Sequence, residues 1–294
     1  MTTAVIFSCG PKENSTEVQY VYKTPDFINK DSTIAYKDRM ESTPVIFGDK
    51  IYDIISVRTD EKNPAIEIYE ARNSVLVSKL NLPIFFTSAM VYNNELYVYG
   101  TTNLDVFASP LKIYKSTNLV EFVEVGSLVP NANRRIFNSS MIHNGSKFII
   151  TVEEDEDRKS TLFPNLYQSE DLIHWEKLSE LRFNKYIACP TIKFLNNQYY
   201  MFYLLHSKRF NVYYTSISKS NDLINWIQSG KVVVAPTSEV DGQNASDFDL
   251  YEYKGQVVMS YANGTQDNYR EPWVNIIRAT YNGTMSEFVE RFFN

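Results

Sequence analysis

The apolar and polar positions of the chain follow a repeat of about 50 residues. In each of five segments, a small or polar residue precedes an apolar pair, a short turn follows, and an aromatic-rich apolar run comes next. In all five, the second run begins seven positions after the first apolar anchor. The anchors are Val45, Met90, Met141, Ile192 and Leu250, which are 45, 51, 51 and 58 residues apart. This period predicts one structural unit used five times.

Each segment has the pattern of a β-hairpin. The residues between the two apolar runs tolerate positive φ angles, as hairpin turns require. These turns are Gly48-Asp49, Asn93-Asn94, Asn144-Gly145, Asn196-Asn197 and Lys254-Gly255. The pattern therefore predicts the first two strands of every unit.

A second motif predicts two further strands. The stretches Ser169–Trp175 and Ser220–Trp226 are near copies, and Ser116–Phe122 is a weaker copy. We expect a third strand that ends at the Ser, an Asx turn at the Asp or Asn, and a fourth strand opened by the aromatic residue. Two interpretations of the tryptophans are open: a platform on which a sugar stacks, or a wedge between neighbouring units.

Four strands repeated five times predict an all-β protein, a five-bladed β-propeller with four-stranded antiparallel blades around a central channel. Pro, Gly and Asn recur too often for long amphipathic helices. We expect one domain over residues 1–294, with residues 1–36 closing the ring or capping one face. The predicted blades are 37–82, 83–131, 132–184, 185–240 and 241–292.

Composition narrows the classes of partner. Aromatic residues make up 14% of the chain, which favours strands. The net charge is −6 and no basic cluster is present, which argues against nucleic acid. No apolar run has the roughly 20 residues of a membrane span, and the start lacks the features of a signal peptide, so we expect a cytoplasmic protein. The two cysteines, Cys9 and Cys189, form no disulfide framework. The oligomeric state is left open.

The predicted propeller fold indicates which polar side chains lie close together. The start of each inner strand and the end of the second strand meet at the same face of the ring, so these residues converge on one funnel. The inner positions are Glu41, Ser42, Ser88, Asn138, Ser139, Cys189, Asp247 and Asp249. The next ring outward is expected to contain Arg58, Asn103, Glu153, Glu154, His206, Asn263 and Gln266.

Four carboxylates are candidates for catalysis. Asp247 and Asp249 open an inner strand, and the two-residue period of a strand points both to one face. A carboxylate pair facing a funnel is the minimum apparatus for glycoside hydrolysis, and closely spaced like charges should raise one pKa. Glu153 continues a strand alternation and Glu41 precedes the first hairpin, so either is a candidate partner. Positions 155–157 are expected to lie in a solvated acidic loop.

Candidate substrate-binding residues are polar or aromatic groups near the predicted funnel. They are Asn138, Ser139, Arg58, His206, Asn263, Gln266 and Trp273. No His/Cys/Asp spacing indicates a metal site and no Gly-rich phosphate loop occurs, so neither a metal nor a cofactor is expected.

The fivefold repeat and the Ser-x-Asp-Leu-x-x-Trp copies resemble the five-bladed propeller glycoside hydrolases: arabinanases, β-xylosidases, and the invertase and levansucrase group. The stretches Phe137–Ser140, Ala188–Pro190 and Ser246–Leu250 are closer still to uncharacterised bacterial members. The resemblance implies a general-base Asp in blade one, an auxiliary Asp in blade three and an acid Glu in blade four. Here those positions are Ser42, Asn138 and Ala188, so all three carboxylates are replaced.

Three hypotheses follow. The first is a glycoside hydrolase whose acids have moved to other positions, with one of Asp247 and Asp249 paired with Glu153 or Glu41. The second is a propeller that binds an oligo- or polysaccharide without cleaving it. The third is a propeller that binds proteins through its outer loops. The sugar, the linkage and the stereochemical outcome are left open.

Overall fold

A computed structural model describes residues 22–57, 64–156, 159–181, 187–237, 241–265 and 274–294. These residues form five separate four-stranded antiparallel sheets. The first strand, β1, is Asn29–Lys37. The first complete sheet contains β2 (Glu41–Phe47), β3 (Lys50–Val57), β4 (Ala65–Glu70) and β5 (Val75–Leu80). The second contains β6 (Phe85–Tyr92), β7 (Glu95–Thr101), β8 (Leu111–Ser116) and β9 (Val123–Leu128).

The third sheet contains β10 (Arg134–His143), β11 (Phe148–Glu156), β12 (Lys159–Ser169) and β13 (Glu176–Glu180). The fourth contains β14 (Ala188–Leu195), β15 (Gln198–Ser207), β16 (Val212–Ser220) and β17 (Ile227–Val234). The fifth contains β18 (Ser246–Tyr253), β19 (Gln256–Ala262) and β20 (Asn275–Asn282), with β1 as its outer strand. A short helix, α1 (Met285–Glu290), follows β20.

The sheets form a closed ring. The inner strands β2, β6, β10, β14 and β18 contact one another in that order, and β18 contacts β2. The predicted five-bladed β-propeller is therefore confirmed. No helix in the described part of the chain is long and apolar enough to cross a membrane.

The predicted hairpins are present in all five sheets. Left-handed backbone occurs at the turns, with φ of 62° at Gly48, 60° at Asn94, 97° at Gly145, 59° at Asn197 and 75° at Gly255. The Gly and Asn residues that indicated turns in the sequence therefore occupy the positions at which L side chains are otherwise strained.

The core lies between the sheets. Each of the five buried apolar clusters in the described chain joins two adjacent blades. The largest joins the fourth and fifth sheets and includes Met285, Phe288 and Val289 of α1. The smallest lies between the fifth and first sheets, where five buried apolar residues meet: Tyr36, Ile55, Val57, Ala65 and Ile276. Polar contacts reinforce this interface, because the Asp53 carboxylate pairs with Arg278 and accepts a hydrogen bond from Tyr36 at 2.7 Å.

The Ser-x-Asp-Leu-x-x-Trp motif is a turn that locks one blade to the previous one. Ser169 Oγ accepts the N–H of Leu172 at 2.9 Å, and Leu172 has a φ of 67°. The Leu172 carbonyl accepts Trp175 Nε1–H at 3.0 Å and, from the neighbouring blade, the N–H of Ser127 at 3.1 Å.

The tryptophans of this motif pack between blades. Trp175 packs on a cluster shared by the second and third sheets. Trp226 packs on the one shared by the third and fourth. The structure therefore supports the wedge interpretation for both tryptophans.

Replacement of Gly126 by Ala tests the contact between a motif turn and the preceding blade. A Cβ at this position would lie 2.2 Å from the Leu172 carbonyl oxygen, so the two blades must separate locally. We expect Gly126→Ala to lower the free energy of unfolding by about 1–3 kcal/mol, measured by urea denaturation.

Gly230→Asn is the matched control for that experiment. Gly230 has a φ of 68°, a Cβ added there would meet nothing within 4 Å, and Asn tolerates this backbone. Its free energy of unfolding should change by no more than about 0.5 kcal/mol. If Gly126→Ala has the same free energy of unfolding as wild type, this contact between the blades does not contribute to stability.

Candidate functional site

The mouth of the channel holds a small polar cavity of about 40 Å³. All eight inner positions expected to converge on the funnel line it, so the structure brings them together. The lining residues are Glu41, Ser42, Thr43, Phe86, Thr87, Ser88, Asn138, Ser139, Cys189, Pro190, Thr191, Asp247, Phe248 and Asp249. Among them, Thr43, Phe86, Thr87, Pro190, Thr191 and Phe248 were not expected.

A backbone irregularity shapes the mouth. The register of the inner strand shifts at its start in four blades, between Phe85 and Ser88 and at the equivalent positions of β10, β14 and β18. In three of these bulges a non-glycine residue is left-handed, with φ of 50° at Phe86, 47° at Cys189 and 48° at Asp247. Such strain persists only where surrounding structure enforces it, and it concentrates at functional sites.

A bulge, and not regular strand alternation, explains why Asp247 and Asp249 both line the cavity. Strand alternation was expected to point both side chains to one face, but the register shift between Ser246 and Asp249 interrupts that alternation. Both residues line the cavity because the left-handed backbone at Asp247 redirects its side chain.

Cys189 lies between two of the candidate carboxylates. Its N–H donates to Glu153 Oε2 at 2.6 Å, and its thiol is hydrogen-bonded to Asp247. Asn138 Nδ2 donates to the same Glu153 oxygen at 3.2 Å and lies 3.4 Å from Cys189 Sγ. Glu153 from blade three and Asp247 from blade five are thus both in contact with one residue of blade four.

The surroundings of Cys189 keep its side chain a neutral thiol. Burial raises the pKa of this thiol well above its ordinary value, and the negative charges of Asp247 and Glu153 raise it further. The side chain is therefore a weak hydrogen-bond donor at neutral pH and is not a thiolate nucleophile.

Asp249 has a different environment. Its Oδ1 lies 2.7 Å from Lys193 Nζ and accepts the N–H of Leu250 at 2.6 Å. Burial raises the pKa of Asp249, while the Lys193 ammonium opposes that rise. The raised pKa expected for one member of the Asp247–Asp249 pair is present, but burial and not a like charge is its leading cause.

Three buried hydroxyls face the same cavity. Within the described residues, Ser42 Oγ, Thr87 Oγ1 and Ser139 Oγ have no hydrogen-bond partner. Glu41 also lines the cavity and is 5% exposed. Buried hydroxyls without partners are costly, so a ligand that hydrogen-bonds them gains affinity.

Three residues expected in the next ring outward, His206, Asn263 and Asn103, do not line the small cavity. His206 stacks on Tyr213 at 4.2 Å and does not line the cavity. Asn263 accepts the N–H of Asn275 at 2.9 Å and joins two strand ends. Asn103 Oδ1 accepts the N–H of Asp105 at 2.9 Å in an exposed loop. Arg58, Gln266 and Trp273 lie outside the described residues.

Asp155 does not lie in the solvated loop that was expected at positions 155–157, and Asp157 lies outside the described residues. Glu154 is fully buried, where Arg134 donates to it at 2.8 Å and Tyr167 at 2.7 Å. Asp155 is 2% exposed and paired with Arg135. Strand β11 continues through Glu156, because arginines on β10 compensate the carboxylates along this stretch.

A second, more apolar cavity of about 330 Å³ lies at the other end of the inner strands. It is lined by Pro44, Val45, Ile46, Ala89, Met90, Val91, Ser140, Met141, Ile142, His143, Lys193, Phe194, Leu195, Leu250, Tyr251 and Met285. In the described part of the chain, no group of three or more His, Cys, Asp or Glu side chains is arranged to hold a metal ion.

Comparison with solved structures identifies the class of fold. The structure of BT0996 in an RGII complex matches with a TM-score of 0.63 and 13% identity, over 93% of this chain and 97% of that one. An exo-1,5-α-L-arabinanase from a bovine ruminal metagenomic library matches with a TM-score of 0.61 and 12% identity, over 83% and 94%. A GH32 β-fructofuranosidase from Bombyx mori matches with a TM-score of 0.59 and 13% identity, over 84% and 61%.

The chain therefore has the five-bladed propeller fold of glycoside hydrolases, and the resemblance seen in the sequence is confirmed at the level of the fold. No family model matches the sequence. No curated protein matches it either.

Replacement of Glu153 by Gln tests the contact between this carboxylate and Cys189. Removal of the negative charge favours the thiolate, so the pKa of the Cys189 thiol should fall toward its ordinary value. We expect faster alkylation by iodoacetamide at pH 8.5 in a Cys9→Ser background, which leaves Cys189 as the only cysteine.

Glu170→Gln is the control, because Glu170 is exposed in a turn of the third blade. Its alkylation rate should equal that of the Cys9→Ser parent. If Glu153→Gln also alkylates at the parental rate, Glu153 does not lie beside the thiol.

Proposed function

We propose that this protein is a glycoside hydrolase that cleaves an oligo- or polysaccharide, with Asp247 and Glu153 as its carboxylate pair. The observation that carries the proposal is that both side chains contact Cys189 at the channel mouth. The carboxylates implied by the family resemblance are absent at Ser42, Asn138 and Ala188. Asp247 lines the cavity, and Glu153 lies buried behind it, in contact with Cys189 of the cavity wall.

The hydrogen-bond donors around each carboxylate favour different roles. Glu153 Oε2 accepts from a backbone N–H and an amide N–H, and these bonds are stronger to an ionised carboxylate than to a neutral carboxyl. Glu153 is therefore proposed as the ionised group, the base or nucleophile.

Asp247 is bonded to the Ser246 hydroxyl and the Cys189 thiol, and both groups can donate or accept. Asp247 can hold a proton without losing these partners, as a general acid requires. Asp249 is less suited to this role, because its charge is paired with Lys193.

The other lining groups suit a sugar. Hydroxyls from Ser42, Thr87 and Ser139 lie buried beside the cavity without partners, and we propose that they turn to bind sugar hydroxyls when a glycan enters. Phe86 lines the cavity and packs edge-on against Phe137 with ring centroids 5.9 Å apart, which supplies an apolar wall. At about 40 Å³ the cavity is smaller than the roughly 300 Å³ of typical ligand pockets, so we propose that it receives one end of a glycan that extends outward.

A screen of oligo- and polysaccharides for released reducing sugar tests the proposal. Wild type should cleave at least one glycan, and Asp247→Asn and Glu153→Gln should each lower kcat/KM by about 100-fold or more. The loss is expected because proton transfer or nucleophilic attack is removed while the cavity is kept.

Asp49→Asn is the matched control, since Asp49 lies exposed in the first hairpin turn, at the other end of β2 from Glu41. Glu41→Gln distinguishes the two possible partners of Asp247, because loss of activity there with normal activity in Glu153→Gln would assign the second role to Glu41. Binding of a glycan without any release of reducing sugar would overturn the hydrolase in favour of a carbohydrate-binding propeller.

A further inference from the structure

One ion pair separates the two cavities of the channel. Lys193 on β14 lines the lower, apolar cavity, whereas Asp249 on β18 lines the mouth. Their charged atoms are 2.7 Å apart, and the two side chains are 24% and 7% exposed. The pair therefore bridges adjacent blades at the level where the mouth ends.

Several carboxylates lie at the mouth, and Lys193 forms an ion pair with one of them. Three carboxylates line the cavity, from Glu41, Asp247 and Asp249, and Glu153 contacts its wall through Cys189. Among the described residues that line the two cavities, Lys193 is the only Lys or Arg. His143 lines the lower cavity, but burial lowers its pKa, so it is neutral above pH 7.

We infer that Lys193 is a positioning residue that sets the electrostatic potential at the mouth. Its ammonium compensates Asp249, so that Asp247 and Glu153 lie beside a neutral ion pair instead of a third like charge. The consequence for catalysis rests on the proposed function, in which Asp247 and Glu153 react. The effect on charge does not depend on that function.

Other titratable groups around the pair do not supply this charge. Burial raises the pKa of both Tyr99 and Tyr251, so these tyrosines are neutral at pH 8.5. Among the described residues, the titratable groups near the pair or the mouth include Tyr99 of β7, which interacts with Asp249, His143 of β10 and Tyr251 of β18. Glu41, Glu153, Cys189 and Asp247 lie around the opening.

The Cys189 thiol is a probe of this potential that requires no substrate. Its thiolate fraction at fixed pH depends on nearby charge, and iodoacetamide is neutral, so the alkylation rate reports that fraction. The experiment compares Lys193→Met, Asp249→Asn and the double variant at pH 8.5 in the Cys9→Ser background. Lys193→Arg keeps the charge and serves as the conservative control.

The two single variants should shift the rate in opposite directions. Asp249→Asn leaves the ammonium uncompensated, which favours the thiolate and should speed alkylation at least about threefold. Lys193→Met leaves a carboxylate uncompensated and should slow alkylation by a similar factor. The double variant and Lys193→Arg should be alkylated at close to the parental rate.

A merely structural role for the pair gives a different result. Loosening of the blades would speed alkylation in both single variants and in the double variant, and that outcome would overturn the proposal. Identical rates in all variants would overturn it too. Circular dichroism on each variant confirms that the compared proteins are folded.

The activity readout separates this proposal from the proposed function. If a glycan is cleaved, the acidic limb of the pH profile of kcat/KM should move down in Asp249→Asn, because the unpaired Lys193 ammonium lowers the pKa of the reacting carboxylates. Suppose that the two single variants change the alkylation rate of Cys189 in opposite directions but no glycan is cleaved. The role of Lys193 in the charge at the mouth would then be supported, and the proposed hydrolase activity would be refuted.

Discussion

Closure of the ring is the constraint on which the site depends. Strand β1, from the start of the described chain, pairs with β20 near its end and completes the fifth sheet. Among the described residues, the interface between this sheet and the first has the fewest buried apolar side chains, and there the Asp53 carboxylate is held by Arg278 of β20 and Tyr36 of β1. Because one carboxylate binds side chains from both closing strands, the fifth blade is fixed against the first and the five inner strands keep their spacing.

Closure brings together acids that are far apart in the chain. Glu153 and Asp247 belong to blades three and five, and a residue of the blade between them contacts both. The left-handed backbone at Cys189 and at Asp247 turns the side chains of these two residues toward the opening. Each strained residue costs about 1–3 kcal/mol of folding free energy. The turns that lock the outer strands of neighbouring blades supply rigidity that can maintain such strain.

The sequence was sufficient to predict the fold because its signals are local and repeated. The period of the anchors, the Gly and Asn turns and the Ser-x-Asp-Leu-x-x-Trp copies each report on short-range geometry, and the ring follows from their repetition. Convergence of the inner positions was predictable for the same reason. The side-chain partners of His206 and Asn263, which are Tyr213 and Asn275, could not be predicted, because they depend on the register of neighbouring strands.

The positions and pairing of charged side chains at the site were harder to predict from the sequence. The bulge at Asp247 breaks the alternation from which its orientation was inferred, and no residue type marks a bulge unambiguously. Lys193 was missed as well, although a lysine within the apolar inner run Thr191–Leu195 was a usable signal. Its partner, Asp249, lies on another blade, and only the closed ring shows that the two charges meet.

A crystal structure of the Asp247→Asn variant with an oligosaccharide substrate is the most direct test of how the ring builds the site. The expected result is a glycosidic oxygen held between residue 247 and Glu153, with the two side-chain termini roughly 5–5.5 Å apart for retention or 6.5–9.5 Å for inversion. A sugar bound in the apolar cavity at the other end of the channel, or one that touches neither side chain, would contradict it.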